Sequence, residues 1–170
     1  DQWLDVWFFP ELDGVKGWRG SDPIMFVGLN PSTGNFPSKA DRLFYDSLRQ
    51  NGLSEAHITD LLKIRLDGES VQEPFAIPEL VQSHKAWVME EVRLLEPHII
   101  VALGHNTLKV LTTWLPEDFR SRIVKIHHYS WAQRWKKNDV FAHDIASIRN
   151  MYLESIRLYP SPNLALSADS

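Results

Sequence analysis

Two polar turns that follow apolar strands carry the residues best suited to chemistry. Residues 24–32 form an apolar run that leads directly into a Gly/Asn/Pro turn, where Asn30 supplies an amide. Near the other end of the chain, His128 and Ser130 follow a second apolar run. In open α/β sheets, ligands bind in the crevice beyond the carboxyl ends of the parallel strands. The two turns therefore indicate an enzyme site built from hydrogen-bonding side chains.

The pattern of the whole chain predicts elements that would bring these turns together. Apolar runs of strand length alternate with segments of helical period, which is typical of a parallel sheet flanked by helices. The predicted strands cover residues 24–27, 57–64, 98–103 and 122–126. The predicted helices cover residues 41–50, 78–95, 106–115 and 140–158. We therefore predict an α/β fold, with three α/β/α layers around a central, mainly parallel four-stranded sheet whose turns gather along one edge.

The composition limits the class of protein. With 170 residues, 44% of them hydrophobic, we expect a single domain with one core and with residues 160–170 as a flexible tail. The absence of cysteine excludes disulfides, thiolate-bound zinc and cysteine-held iron–sulfur clusters. No stretch resembles a signal peptide or a membrane span, so we expect a soluble, intracellular and cytoplasmic protein. The motifs of metal and nucleotide sites are missing as well, and no cofactor is expected.

One segment departs from the acidic average of the chain. The formal net charge is -4, yet residues 120–137 contain no Asp or Glu. The basic and aromatic residues of this segment are Arg120, Arg122, Lys125, Tyr129, Trp131, Arg134, Trp135, Lys136 and Lys137. Basic and aromatic side chains mixed in this way suit a phosphate backbone with stacked bases. The alternative is a solvated charged loop whose tryptophans are anchored in the core.

The two turns and the strand order resemble the uracil-DNA glycosylase superfamily. Residues 28–32, Gly-Leu-Asn-Pro-Ser, are similar to the Gly-x-Asn-Pro-Gly motif of its mismatch-specific and single-strand-selective branches. Residues 128–130, His-Tyr-Ser, followed by Arg134, resemble the His-Pro-Ser motif and its arginine in other branches. The resemblance covers residues 24–158. It implies the glycosylase fold and a hydrolase of base excision repair that turns a base out of DNA and cuts its N-glycosidic bond.

The resemblance implies a catalytic role for two residues. Asn30 would orient the attacking water, since an amide cannot accept a proton at neutral pH. His128 would donate a hydrogen bond to the base carbonyl as negative charge builds there. Gly28 and Leu29, in the same motif as Asn30, would contact the substrate. The alternatives are an ordinary turn at Asn30 and a partly buried strand end at His128.

Three further residues are implied substrate contacts. Ser130 and Arg134 would hold phosphates that flank the flipped nucleotide. Phe36 would stack on the base, because superfamily members carry an aromatic residue shortly after the first motif. Phe36 could equally be a loop anchor, and Phe44 competes for the stacking role unless it fits the inner face of its helix.

The most informative departure from the superfamily is Asp60. Residues 59–63, Thr-Asp-Leu-Leu-Lys, resemble a Thr-Asn-x-x-Lys segment of uracil-reading branches, with Asp60 in place of the asparagine. An ionised aspartate only accepts hydrogen bonds, so it would repel O4 of uracil unless it is protonated. It would match two adjacent donors on a guanine-like base. Asp60 is therefore expected to contact the base and alter specificity, or else to be structural.

Two other departures leave the reaction itself open. Ser32 replaces a glycine of the first motif, and Tyr129 replaces the proline after His128. The leading hypothesis is a monofunctional, monomeric DNA base glycosylase without cofactor. One alternative is a module that binds DNA or a flipped base without cutting, which these departures favour. The other is an α/β enzyme of free nucleosides or nucleotides, which the acidic charge favours.

Overall fold

A central sheet of four parallel strands organises the fold. The structure is a computed structural model that describes residues 6–32, 34–64 and 78–160. Its strands are β1 Asp22–Gly28, β2 Ala56–Asp60, β3 Ile99–Leu103 and β4 Ile123–Ile126. They lie in the order β2-β1-β3-β4, and each neighbouring pair is parallel. The predicted α/β class and parallel four-stranded sheet are confirmed.

Helices cover both faces of this sheet. They are α1 Lys39–Gln50, α2 Pro78–Leu95, α3 His105–Trp114, α4 Glu117–Arg120, α5 Tyr129–Arg134 and α6 Asn138–Leu158. A short 3₁₀ helix, Gly17–Arg19, precedes β1. None of the helices in the described ranges is long and apolar enough to cross a bilayer.

The alternation of side chains along β1 explains the three layers. Ile24 and Phe26 point to one face, where they pack with buried residues of α1, α5 and α6. Met25 and Val27 point to the other face, where they pack with buried residues of α2 and α3. Successive strand residues face opposite sides, so a strand that is apolar throughout is stable only between two layers.

The start of α1 is fixed by local hydrogen bonds. The Ser38 hydroxyl accepts from the Asp41 backbone N–H at 3.1 Å, and the Asp41 carboxylate accepts from the Ser38 backbone N–H at 2.8 Å. This capping box begins the helix at Lys39, two residues before the predicted start. At the other end, Gly52 has a φ of +68° and follows the C-cap as expected. The capping box holds Asp41 close to the carboxyl edge of the sheet.

Two parts of the sequence prediction differ from the structure or fall outside it. The second strand was expected to reach residue 64 but ends at Asp60. There the chain turns, with the Leu61 and Leu62 N–H groups donating to the carbonyls of Gly28 and Leu29. The loop at 65–74 and the tail from 161 onward lie outside the described residues.

The turn predicted at residues 127–130 was wrong in part. Tyr129 begins the helix α5, and His128 is its N-cap with φ -74° and ψ 137°. A helix of six residues is too short to show a 3.6-residue period, and for that reason the sequence pattern missed it. The consequence for the site is that His128 sits at a defined helix start rather than in an irregular loop.

Candidate active site

Two adjoining cavities lie at the carboxyl edge of the sheet. The first, which we call the recess, has a volume of about 20 Å³. It is lined by Trp7, Phe9, Asn30, Pro31, Ser32, Phe36, Asp41, Asp60 and Tyr129. The second, which we call the cleft, has a volume of about 280 Å³. It is lined by Leu29, Asn30, Leu103, Gly104, His105, Asn106, Thr107, His128 and Ser130.

Asn30 stands where the recess and the cleft meet. It is the second residue after β1, is half-buried, and lines both cavities. Its Nδ2 donates to the Pro31 carbonyl at 3.2 Å, which orients the amide. Within the described ranges no group donates to its Oδ1, so this oxygen can accept a hydrogen bond from water. The same side chain can thus reach a ligand that occupies either cavity.

His128 lies in the same cleft as Asn30, brought there by the parallel direction of β1 and β4. Its Nδ1 accepts from the Ser130 backbone N–H at 3.1 Å and lies 2.7 Å from the Ser130 hydroxyl. A backbone N–H can only donate, so in the neutral ring the proton is on Nε2. Burial lowers the pKa of His128 to about 4. At neutral pH the residue is therefore an uncharged hydrogen-bond donor.

Tyr129 packs against the ring of His128. Its ring is buried and stacks on Phe44 with centroids 4.7 Å apart and an angle of 8°. The His128 ring stacks on Tyr129 in turn at 4.3 Å. In place of a proline after His128, this stack and the bonds to Ser130 restrain the imidazole. Phe44 is fully buried in the core, which leaves Phe36 as the candidate stacking residue.

Phe36 lines the recess as part of an aromatic cluster. Its ring is 5.6 Å from that of Trp7 and 5.5 Å from that of Tyr45. The cluster joins the N-terminal segment to α1 and nearly fills the recess. The space that is left holds about one water molecule.

Asp60 ends β2 with its carboxyl group in the recess. The residue is only 4% exposed, and among the described residues Oδ2 has no hydrogen-bond partner. Its strand neighbour is Gly28, where a Cβ would overlap Oδ1 of Asp60. The absence of a side chain at Gly28 therefore makes room for the acid. Burial is the largest influence on Asp60 and raises its pKa to about 7.

Of the remaining predicted contacts, two line the cleft and one does not. Leu29 and Ser130 both line it, Leu29 half-buried and Ser130 exposed. Arg134 lies in the last turn of α5, exposed and outside the residues that line the two cavities.

Trp131 is 38% exposed and Trp135 is 62% exposed. The alternative in which both tryptophans are anchored in the core is therefore wrong.

The basic segment at 120–137 is not one surface. Arg120 and Arg122 precede β4, and Arg122 donates to the Pro97 carbonyl just before β3. Both arginines thus lie at the amino edge of the sheet. Arg134 and the residues that follow it come after β4, at the carboxyl edge. Only this second group borders the cleft side of the molecule, so the predicted segment is divided by the strand.

Six residues of the recess were not among the predicted site residues: Trp7, Phe9, Pro31, Ser32, Asp41 and Tyr129. Trp7 reaches the recess because its backbone N–H bonds to the Lys63 carbonyl. This contact joins positions far apart in the chain and leaves no local signal. The capping pattern between Ser38 and Asp41 was visible in the sequence and could have located that carboxylate.

The fold and these cavities define a class of protein: a parallel α/β domain with two cavities at the carboxyl edge of its sheet, where such folds bind their ligands. The family comparison makes this more specific. The model of the uracil DNA glycosylase superfamily matches residues 19–149. The chain therefore belongs to the uracil DNA glycosylase superfamily. A comparison with curated proteins gave no match.

Proposed function

We propose that the chain is a monofunctional DNA glycosylase that hydrolyses the N-glycosidic bond of a base turned out of the DNA stack. The observation that carries this proposal is the position of Asn30, which lines both the recess and the cleft. A base in the recess with its sugar and phosphate in the cleft would have its glycosidic bond beside Asn30. Membership of the superfamily supports this chemistry.

Asn30 and His128 divide the chemistry between them. Oδ1 of Asn30 accepts from the attacking water and holds it towards the sugar, an effect of position rather than of proton removal. Nε2–H of His128 donates to a carbonyl oxygen of the departing base as negative charge develops there. The lowered pKa of His128 is compatible with this role, because the neutral ring already carries the donor.

The substrate contacts follow from the same arrangement. Asp60 faces the base edge, and Phe36 stacks on the base after the recess widens. This widening moves the rings of Phe36 and Trp7, since the recess otherwise holds about one water molecule. Ser130 at the start of α5 binds a flanking phosphate, and Arg134 binds the strand further along.

The test is release of a base from labelled oligonucleotides, detected as strand cleavage after alkali treatment. Single- and double-stranded substrates would carry uracil, hypoxanthine, xanthine or a mismatched thymine. We expect Asn30→Ala to reduce release by about 100-fold or more, because the water loses its orientation. Asn150→Ala, an exposed position on α6, is the matched control and should retain the wild-type rate. Equal rates in the two variants would reject the role of Asn30.

The second candidate is a module that binds DNA or a flipped base without cutting it. The small volume of the recess favours this candidate, as does Ser32 at its mouth. Salt-sensitive binding to every oligonucleotide, without release of any base, would identify it. Release that Asn30→Ala abolishes would exclude it.

A further inference from the structure

The Asp60 carboxyl group is a buried acid whose hydrogen bonds are incomplete. In the described part of the chain, Oδ2 of Asp60 has no partner although the residue is 4% exposed. Buried polar atoms normally find a partner, because leaving one unpaired in an apolar site is costly. The group also lines the recess. The unpaired oxygen of Asp60 is therefore available for a hydrogen bond to a ligand in the recess.

The charges around the recess disfavour an ionised Asp60. Lys63 lies nearby, but its Nζ donates to the Asp60 backbone carbonyl at 2.9 Å and pairs with Glu91 at 2.9 Å. Asp41, from α1, is a second buried carboxyl group in the recess. The Lys63 ammonium is thus paired with Glu91, whereas Asp41 and Asp60 are two further buried carboxyl groups that line the recess.

The other titratable neighbours do not stabilise the ionised form of Asp60. His57 lies 3.6 Å from Glu91 and not against Asp60. Tyr129, from α5, and Tyr45, from α1, face Asp60 with phenols whose pKa values are raised above 10 by burial, so both stay neutral. Trp7 and Phe9, from the N-terminal segment, bring no charge to the recess.

We propose that Asp60 reads the base as a neutral carboxylic acid, through one hydrogen-bond donor and one acceptor. It would then take a base edge that presents an acceptor beside a donor, such as O4 and N3–H of uracil, rather than two adjacent donors. This inference rests on the proposed function only in assuming that the recess receives a base. A neutral Asp60 would favour this edge over the guanine-like base that an ionised Asp60 would match, and Asp60 would then determine the specificity for the base.

A neutral Asp60 would make binding of the base depend on pH. Burial raises the pKa of Asp60, Lys63 lowers it in part, and Glu91 and Asp41 raise it again, to about 7. The neutral acid is therefore the main form below pH 7 and is lost above it. Binding of a uracil-like base should fall as the pH rises through 7, because the ionised acid repels O4.

The experiment measures both binding and release from pH 5.5 to 8.5 with the full chain. The probes are single-stranded oligonucleotides that carry uracil, cytosine or an abasic position. A uracil nucleotide with a 2′-fluoro group, which slows hydrolysis, would serve for binding. The variants are Asp60→Asn, whose amide has a donor and an acceptor at every pH, and Asp118→Asn, an exposed control on α4.

We expect wild-type binding of the uracil probe to fall at least about tenfold between pH 6 and 8.5. Asp60→Asn should give a flat profile, and Asp118→Asn should behave as the wild type. A similar fall with the cytosine probe would identify an amidine edge, which a neutral acid also matches. A wild-type profile that is flat or rises with pH would overturn the proposal. So would an Asp60→Asn profile that still falls, or no preference over the abasic probe.

Two outcomes separate this inference from the proposed function. Binding with the expected pH profile but without base release would reject catalysis and retain the role of Asp60. Base release with a flat wild-type profile would retain catalysis and reject that role. If circular dichroism shows that Asp60→Asn does not fold, the wild-type protein decides the question alone. Uracil binding that falls as the pH rises supports the proposal, and binding that is constant or rises overturns it.

Discussion

His128 shows how a single side chain can be prepared for chemistry by its backbone position. As the N-cap of α5, its Nδ1 accepts from the Ser130 N–H, which directs the remaining ring proton to Nε2. The stack on Tyr129 restrains the plane of the ring. These contacts fix both the tautomer and the direction of the donor before any ligand binds, which is the arrangement that electrostatic stabilisation of a leaving group requires.

We expect His128→Ala to lower the single-turnover rate of base release by about 10²- to 10³-fold, as for the loss of one preorganised donor. The pKa of about 4 means that His128 is neutral throughout pH 5–8. The ratio of wild-type to variant rates should therefore be constant over that range. His143→Ala, exposed on α6, serves as the matched control. A ratio that grows towards pH 5 would mean that the imidazolium is the active form.

The pairing of β1 with β2 explains how the Asp60 side chain fits at the carboxyl edge of the sheet. Gly28 and Asp60 are register partners at the ends of these strands, and Oδ1 of Asp60 occupies the space beside the Gly28 Cα. The glycine of the first motif is therefore required here by a close approach between neighbouring strands rather than by its backbone angles. A side chain at this position would have to displace the carboxyl group or part the strands.

This contact predicts a large difference between two similar substitutions. Gly28→Ala should lower the free energy of unfolding by about 1–3 kcal/mol, because its methyl group overlaps a buried side chain. Gly34→Ala is the control: its Cβ would meet only the Ser32 hydroxyl, at 3.9 Å, and the change should stay within about 0.5 kcal/mol. Urea denaturation measures both. Equal stability of the two variants would show that β1 and β2 do not approach as closely as described.

At the scale of the whole molecule, the edge of the sheet on which a basic residue lies decides whether it is near the cleft. Its distance from the site residues along the sequence does not. Residues 127–137, which follow β4 directly, lie at the carboxyl edge with the cleft, and Trp135 there is 62% exposed. Arg120 and Arg122 lie at the amino edge, separated from the cleft by the length of a strand. An acidic chain can therefore carry a local positive surface on the side where its proposed DNA ligand would approach.

We expect the double variant Lys136→Gln/Lys137→Gln to weaken DNA binding and to reduce the slope of log K against log[salt] by up to about two. The control, Arg120→Gln/Arg122→Gln, removes the same charge from the amino edge and should leave the slope unchanged. Fluorescence anisotropy at several salt concentrations measures both slopes. Equal losses in the two variants would mean that affinity follows net charge rather than this surface.

Much of the architecture was predictable because it depends on local patterns. The alternation of apolar strands and helical segments predicted the parallel sheet, and the long helix Pro78–Leu95 ends at the predicted residue. Parallel strands bring their carboxyl ends to one edge whatever the details of packing. For that reason the sequence predicted that the turns with Asn30 and His128 would gather along one edge, and the structure places both residues in one cleft.

The state of the site depended on contacts that no local pattern contains. Residue type alone left Asp60 as an ordinary acid, and its burial beside Gly28, Asp41 and Glu91 brings together segments that are distant in the chain. The packing of Trp7 over the recess has the same origin. The sequence by itself determined that the turns after the parallel strands gather at one edge of the sheet. Only the tertiary structure decided their protonation and the space around them, because both depend on the surrounding dielectric and packing.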